Sequence, residues 1–418
     1  MISQTRLQEQ LNQMAAITTH AHGAKGINRV AFTTTDWEGR RYLLSLMEEA
    51  GLEIRTDAFG NVIGHRRGTR EDLPALLCGS HSDSVPEGGN YDGVCGILAA
   101  IEVARSMRED GFVNERPLEV VLFMCEESSR FGCSTAGSKF MRGFLTQKDL
   151  FKYHDKYGNS MYEVLQSRGL RPDEIETCRY TRPLAAYLEL HIEQGKVLEQ
   201  EGLPLGIVTG IAAPTRLKLR FHGSADHSGA TPMALRRDGL CAAAEVVLAV
   251  EEAARSHQDP PVVGTVGMVS VEPNAMNVVP GETELGVDIR SISKQAKDDV
   301  LRQVVDKARS VAARRGVPLD VDLLYDDDPV PLHDGMVRFL GACCREASLP
   351  FREMPSGAGH DAMNWASYCP TGMLFIPCRG GISHSPDEFA RTEDFVQAVT
   401  LLERALRTLS RANVSIAP

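Results

Sequence analysis

The chain has 418 residues, of which 43% are hydrophobic and 24% charged, and its formal net charge is −11 at pH 7. This length is too great for one ordinary core and predicts two domains, and the composition is typical of a folded globular protein. The negative charge argues against a nucleic-acid partner or an anionic membrane surface, but not against a small anionic substrate that binds a local arginine.

The compartment is predicted from the N-terminus and the cysteines. No apolar run approaches the roughly 20 residues of a membrane helix, and the polar start MISQTRLQEQLNQMAAI has no signal-peptide core. We therefore expect a cytoplasmic protein with no membrane partner. The ten cysteines are scattered without a CxxC pair, so a cysteine-based zinc site is not expected.

In chain order, the first part alternates between helices and apolar strands. EGRRYLLSLMEEAG predicts an amphipathic helix that ends at Gly51. PALLCGSH and LEVVLFMCEES predict strands buried in a mostly parallel sheet, with the apolar helix VCGILAAIEVARSM between them. This alternation indicates an α/β domain whose functional residues lie on loops at the carboxyl ends of strands.

The pattern changes at about residue 213. TRLKLRFHGSADHSG alternates like a half-exposed antiparallel strand, and a long helix, two strands, a second long helix and another strand follow. This β-α-β-β-α-β order is ferredoxin-like. We predict a discontinuous α/β domain at 1–212 and 326–418, with a mixed, mostly parallel sheet flanked by helices, and an inserted α+β domain at 213–325.

Side chains typical of metal ligands stand at four separated places after apolar strands. His81 ends one strand, and Asp83, two residues later, can support it by fixing the tautomer and orientation of its ring. Asp92 lies in the Gly-flanked loop GGNYDG, where each oxygen of its carboxylate can take one ion. Either residue alone is more often structural, so the prediction of a site depends on the combination.

Two further strand ends complete this set. Glu126 and Glu127 directly follow an apolar run, and adjacent residues on an extended chain point opposite ways, so one can bind metal while the other faces water. His191 in LELHIEQG and His384 in GGISHSP would complete two coordination spheres. Nitrogen and oxygen ligands without thiolate suit zinc, and also manganese, cobalt or nickel. The pattern predicts a two-metal hydrolytic site.

Two alternatives belong to other classes of protein. Cys125, beside Glu126, could be the nucleophile of a thiol amidase, although its apolar run favours a core thiol. A non-catalytic binding protein that keeps the fold would normally have lost a ligand or the base, and here none is lost.

Several motifs together resemble one known family. HSDSVPEGGNYDGVCG, EESSRFGCSTAGS, LELHIEQG, HSGATPM, NVVPGETELGVDIRS, SGAGHDA and GISHSP occur in this order between about residues 25 and 395. They resemble the hydantoinase/carbamoylase-type amidases, in the two-metal clan of aminoacylases and carboxypeptidases. The HIEQG and SGAGHDA motifs, with His191 in place of Asp, favour the amidase branch over a peptidase.

The resemblance implies a role for each ligand. His81 and His191 would hold one metal ion, Glu127 and His384 the other, and Asp92 would bridge them. Glu126 would be the general base. The resemblance also implies that the inserted domain is a lid and the interface of a homodimer.

Substrate-binding residues follow from the same motifs. His227 would act as an oxyanion donor, and Arg290 would clamp a substrate carboxylate with Asn277 beside it. The motifs that line the same pocket contain Gln194, Ser356, Gly357 and His360.

The implied activity is metal-dependent hydrolysis of the carbamoyl (ureido) C–N bond of N-carbamoyl-L-amino acids or a related ureido acid. Allantoate amidohydrolase and β-ureidopropionase activities are the alternatives, because their substrates also carry a carboxylate near a ureido group. An aminoacylase or peptidase of the same clan is the further alternative.

Overall fold

The computed structural model describes residues 1–20 and 23–416. Its strands, numbered in chain order, are Glu53–Thr56 (β1), Val62–Arg66 (β2), Ala75–His81 (β3), Leu118–Phe123 (β4), Leu184–Ile192 (β5), Gly206–Ile211 (β6), Ala213–His222 (β7), Val262–Glu272 (β8), Glu282–Ser291 (β9), Leu319–Asp326 (β10), Val330–Pro331 (β11), Arg352–Ser356 (β12) and Thr371–Ile376 (β13).

The α-helices are Gln4–Ala16 (α1), Thr34–Glu49 (α2), Val94–Glu109 (α3), Ala136–Arg142 (α4), Gln147–Lys152 (α5), Met161–Ser167 (α6), Val197–Glu201 (α7), Gly239–Arg255 (α8), Lys294–Arg315 (α9), Asp334–Glu346 (α10), Ala362–Trp365 (α11) and Thr392–Leu409 (α12). Short 3-10 helices span Pro172–Cys178, Met233–Leu235 and Arg379–Gly381. Within residues 1–20 and 23–416, no helix is long and apolar enough to cross a membrane.

A nine-stranded sheet has the order β1-β2-β4-β3-β5-β13-β6-β11, and β12 also pairs with β6. The four strands from β4 to β13 are parallel, and the strands on both sides of them pair antiparallel. Every residue of β3 and β4 is buried, because helices cover a parallel sheet on both faces. The carboxyl ends of β3, β4 and β5 therefore meet at one edge of the sheet.

Helix α3 lies at the centre of this layer. It packs against β3, β4 and β5, and nearly all of its residues are buried. The amphipathic helix α12 packs against α3, β5 and β13, with Phe395, Leu402 and Leu406 in the shared core. Helix α3 therefore supports β3 and β5, whose carboxyl ends carry His81 and His191, and α12 also supports β5.

The second sheet has four antiparallel strands in the order β10-β7-β9-β8. Buried and half-buried residues alternate along β7 and β9, and the buried set faces a core that includes residues of α8 and α9. The order β7-α8-β8-β9-α9-β10 along the chain confirms the predicted ferredoxin-like arrangement, and the first sheet confirms the mixed, mostly parallel one.

The chain divides into two compact units. The first comprises Met1–Thr209, Leu332–Met354 and Gly359–Pro418, and the second comprises Gly210–Pro331 and Pro355–Ala358. The nine-stranded sheet lies largely in the first unit, and the four-stranded sheet lies in the second.

Candidate metal centre

The ends of β3 and β5 place two histidines beside Asp92. The Nε2 atoms of His81 and His191 lie 3.3 Å and 3.1 Å from Asp92 Oδ1. All three side chains are almost completely buried, and their ligand atoms lie within 4.8 Å of one another. This first ligand group can hold one divalent cation.

The other oxygen of Asp92 belongs to a second ligand group. His384 Nε2 lies 3.3 Å from Asp92 Oδ2 and 3.4 Å from Glu127 Oε1. Glu127 is buried, whereas half of the His384 side chain is exposed. Because Asp92 gives one oxygen to each group, the imidazole and carboxylate donors fit a binuclear site.

Gly93 makes the close approach of these groups possible. Its φ of 63° lies in the left-handed region, and a Cβ atom there would come within 2.5 Å of the His81 ring. Its N–H donates to His191 Nε2 at 3.1 Å. A side chain at position 93 would therefore push His81 away from Asp92.

Asp83 supports the site in a different way from the one expected. The His81 Nδ1 atom contacts the main-chain oxygen of Asp83 at 3.0 Å, whereas the Asp83 carboxylate is 3.7 Å away. That carboxylate instead accepts the backbone N–H groups of Glu126 (3.2 Å) and Glu127 (3.1 Å). The main chain of Asp83 thus orients His81, and its side chain fixes the turn that carries the two glutamates.

Glu126 lies on the side of the first ligand group. Its Oε2 is 3.9 Å from His81 Nε2, and the side chain is buried. The neighbouring Cys125 is completely buried, and burial raises the pKa of its thiol well above the usual range. A buried thiol that stays protonated is a poor nucleophile, which argues against the thiol-amidase alternative.

The electrostatics of the site favour cations. Burial lowers the pKa of His81, but the hydrogen bond to Asp92 and the nearby carboxylates outweigh it and raise that pKa well above its usual value. The hydrogen bond to Asp92 raises the pKa of His384 to about 9. Burial and the charge of Asp92 raise the pKa of Glu127 to about 7. A metal ion would displace the protons that this negative cluster attracts.

Two of the predicted pocket residues contact the ligand groups. Gln194 Nε2 donates to Asp92 Oδ2 at 2.6 Å. The buried ring of His360 packs edge-on against His191, with centroids 4.5 Å apart. Burial and the neighbouring His191 lower the pKa of His360 well below its usual value, which favours the neutral imidazole.

The other predicted substrate residues lie in the second unit. His227 and Val278 form a bridge between antiparallel segments, and the Asn277 carbonyl accepts the N–H of Ser228 at 3.0 Å. Both His227 and Asn277 are exposed. The fold of this unit therefore places the His227 and Asn277 segments side by side.

Arg290, on β9, has partners within the same unit. Its Nε and Nη2 donate to Asp288 at 2.8 Å and 3.2 Å, and its Nη1 donates to the Gly357 carbonyl at 3.0 Å. The Ser356 hydroxyl closes the turn that follows by bonding with Ala358. Arg290 and the Ser356–Gly357 turn are thus held together.

Two residues of the site were absent from the sequence-based prediction. Ser383 Oγ lies 3.2 Å from Asp92 Oδ2, and the buried carboxylate of Glu388 accepts the N–H of Asp92 at 3.1 Å. The only signal in the sequence is their closeness to His384 in GGISHSPDEF. An acidic residue beside Ser, Pro and Asp normally indicates a solvated loop.

Known proteins resemble the chain over nearly its whole length. The model of Peptidase family M20/M25/M40 matches residues 77–408. An N-carbamoyl-L-amino acid amidohydrolase of Geobacillus stearothermophilus is 38% identical over 412 residues, which cover 98% of this chain and 100% of that protein. A ureidoglycolate hydrolase of Arabidopsis thaliana is 37% identical over 411 residues, which cover 97% of this chain and 86% of the relative.

A solved structure agrees with these matches. The crystal structure of an amidase of the hydantoinase/carbamoylase family from Burkholderia multivorans has a TM-score of 0.93 to this chain, at 34% identity and 99% coverage of both chains. The chain is therefore an amidohydrolase of peptidase family M20/M25/M40 and belongs to its hydantoinase/carbamoylase amidase subfamily.

Proposed function

We propose that the protein hydrolyses the carbamoyl C–N bond of a small ureido acid, with N-carbamoyl-L-amino acids as the first candidates. The observation that carries this proposal is the position of buried Glu126 beside the first of two ligand groups that share Asp92. His81 and His191 would hold one divalent ion, and Glu127 and His384 the other. Zn²⁺, Mn²⁺, Co²⁺ or Ni²⁺ suits these donors, and when bound the ions would supply Lewis acidity toward water and the carbonyl group.

Glu126 is the proposed general base. It would take a proton from the attacking water and return it to the departing nitrogen. Its Oε2 lies 3.9 Å from His81 Nε2, and the Asp83 carboxylate accepts its backbone N–H at 3.2 Å, which fixes the main chain that carries the side chain. With an N-carbamoyl substrate, the carbamate that is released would break down to CO2 and ammonia.

His227 is the proposed oxyanion donor. Its Nδ1 accepts the backbone N–H groups of Gly229 (3.1 Å) and Ala230 (3.2 Å). An imidazole whose Nδ1 accepts must carry its proton on Nε2 when neutral, so Nε2 is available to donate to the oxygen that becomes negative during the reaction. The local turn therefore selects the tautomer that this role needs.

Arg290 is the proposed carboxylate clamp. A guanidinium has five N–H groups, and the described contacts with Asp288 and Gly357 occupy three of them. Two remain within the part of the chain that the structure describes, which is the number that a bidentate carboxylate takes. Asn277 would donate its amide beside Arg290, and Gln194, Ser356, Gly357 and His360 would line the substrate pocket.

A homodimer through the second unit is the proposed assembly. Strand β8 is an edge strand of the four-stranded sheet, and Val263 and Val269 on it are 62% and 53% exposed. An exposed apolar edge strand offers unpaired backbone groups to a second chain. Pairing of β8 with a second copy of the chain would cover the exposed valines and provide partners for the unpaired backbone groups.

A substrate panel tests the proposal. Metal-loaded protein is mixed with N-carbamoyl-L-amino acids, allantoate, ureidoglycolate, N-carbamoyl-β-alanine and N-acetyl amino acids, and the release of ammonia and free amine is measured. We expect turnover of a ureido acid and none of the N-acetyl compounds. Cleavage of N-acetyl amino acids alone would contradict the proposal and indicate an aminoacylase.

A further inference from the structure

We infer that Glu388 is a positioning residue that ties the loop carrying Asp92 to the loop carrying His384 and thereby holds the second ligand group together. Glu388 lies four residues after His384 and is 6% exposed. Its two carboxylate oxygens face two different loops of the metal centre.

The first oxygen fixes the Asp92 loop. Glu388 Oε1 accepts two successive backbone N–H groups, from Tyr91 at 2.8 Å and from Asp92 at 3.1 Å. Hydrogen bonds to a carboxylate are stronger than those between neutral groups, and burial excludes competing water. The backbone that presents Asp92 to both ligand groups is therefore held by Glu388.

The second oxygen fixes the His384 loop. Ser383, directly before His384, donates its hydroxyl to Glu388 Oε2 at 2.8 Å. The same hydroxyl lies 3.2 Å from Asp92 Oδ2, and because it has one proton, the shorter contact to Glu388 is the one that we assign. Since His384 itself has a left-handed backbone with φ of 54°, its loop needs such an external anchor.

The absence of a side chain at Gly89 allows Glu388 to pack directly against the backbone there. A Cβ atom at position 89 would lie 2.1 Å from Glu388 Oε1 and 2.3 Å from its Cβ, and the φ of Gly89 is not in the left-handed region. The glycine is therefore needed for close approach and not for backbone conformation. This contact, independent of the hydrogen bonds, shows that the two loops are packed as a pair through Glu388.

The two ligand groups should depend on Glu388 to different degrees. His81 and His191 are fixed at the ends of the adjacent strands β3 and β5, whereas Asp92 and His384 belong to loops that Glu388 joins. Loss of Glu388 should therefore weaken the second metal site more than the first. The inference rests on the ligand assignment proposed above.

Titration of metal-free protein with Co²⁺ tests this inference, with d–d absorption and calorimetry as readouts. We expect wild type to bind two ions and Glu388→Ala to bind the second ion about 10- to 100-fold more weakly, the usual effect of removing such a support, with a smaller loss at the first site, where Asp92 is one of three ligands. Glu388→Gln should recover most of the affinity, because its amide oxygen can accept both N–H groups. Asp387→Asn, exposed on the same loop, is the matched control and should bind like wild type.

The outcomes separate this inference from the proposal on which it rests. Wild type that fails to bind two ions would contradict the ligand assignment. Wild type that binds two, together with Glu388→Ala that also binds two with unchanged affinity, would overturn the role of Glu388 alone. An equal loss at both sites, with a lowered Tm of the metal-free variant, would also overturn it, because it would show general destabilisation.

Discussion

Three residues of the metal-site loops have a left-handed backbone although none is glycine. They are Cys125 (φ 58°), Gln194 (φ 58°) and His384 (φ 54°), and each lies in or beside a ligand group. This conformation costs about 1–3 kcal/mol for a residue with a side chain, and such strain collects at functional sites. A sequence pattern does not reveal it, because the signal expected for such a turn is a glycine.

Three of the candidate ligands, His81, Glu127 and His191, could be found from the sequence because each lies at or soon after the end of an apolar strand, and parallel strands bring their carboxyl ends together. Asp92 lies on a loop, and the structure brings it to His81 and His191. Glu388 could not be found, because its burial depends on the packing of Gly89 from a distant loop. The sequence predicted that Asp83 supports His81. It could not show that the main-chain oxygen of Asp83 contacts the His81 ring while its carboxylate accepts backbone N–H groups, because these contacts depend on backbone geometry.

At the scale of the single residue, Glu126→Gln tests the general base. The amide keeps the shape of the side chain but cannot take a proton, so we expect two bound ions and a kcat lowered by about 10²- to 10⁴-fold. Metal content by mass spectrometry and steady-state kinetics check this, with Asp387→Asn as the control. Turnover equal to wild type in the fully loaded variant would exclude Glu126 as the base.

At the scale of the element, long periodic segments were predictable and short pairings were not. The helices α3, α8 and α9 and the β-α-β-β-α-β order of the second unit along the chain follow from apolar periodicity and length. Strand β11 has two residues and exists only through its antiparallel pairing with β6. Such a strand has no local pattern, because its hydrogen-bond partner lies far away in sequence.

The fit of helix α3 on the sheet gives a test at this scale. A Cβ atom at Gly96 would lie 2.3 Å from the Leu190 carbonyl of β5 and 2.6 Å from Ser80 Cβ of β3. Gly96→Ala should push α3 away from both strands and lower the free energy of unfolding by about 1–3 kcal/mol, as overpacking does. Metal affinity should fall with it, because His81 and His191 end the same strands.

Urea-induced unfolding measured by circular dichroism checks this expectation. Gly267→Ala is the matched control, since a Cβ atom at Gly267 meets no atom of the described residues within 4 Å and its φ is not in the left-handed region. If Gly96→Ala were as stable as Gly267→Ala, the close contact between α3 and the two strands would not require a glycine at position 96.

At the scale of the whole molecule, the residues with proposed roles belong to two units. The first holds the ligand groups with Glu126, and the second holds His227, Asn277 and Arg290. In the mechanism that we propose, activation of water belongs to the first unit, and recognition of the carboxylate belongs to the second. The net charge of −11 does not prevent this, because Arg290 supplies a local positive group.

Removal and return of metal test the two-metal mechanism most directly. Protein freed of metal by a chelator is assayed for ammonia release from the ureido acid that the panel identifies, while Zn²⁺, Mn²⁺ or Co²⁺ is added in fractions of one equivalent per chain. We expect no turnover without metal and full recovery at two equivalents, with no loss after thiol alkylation of the folded protein. Turnover that survives complete removal of metal, but is abolished by alkylation, would contradict the mechanism and assign the reaction to a cysteine.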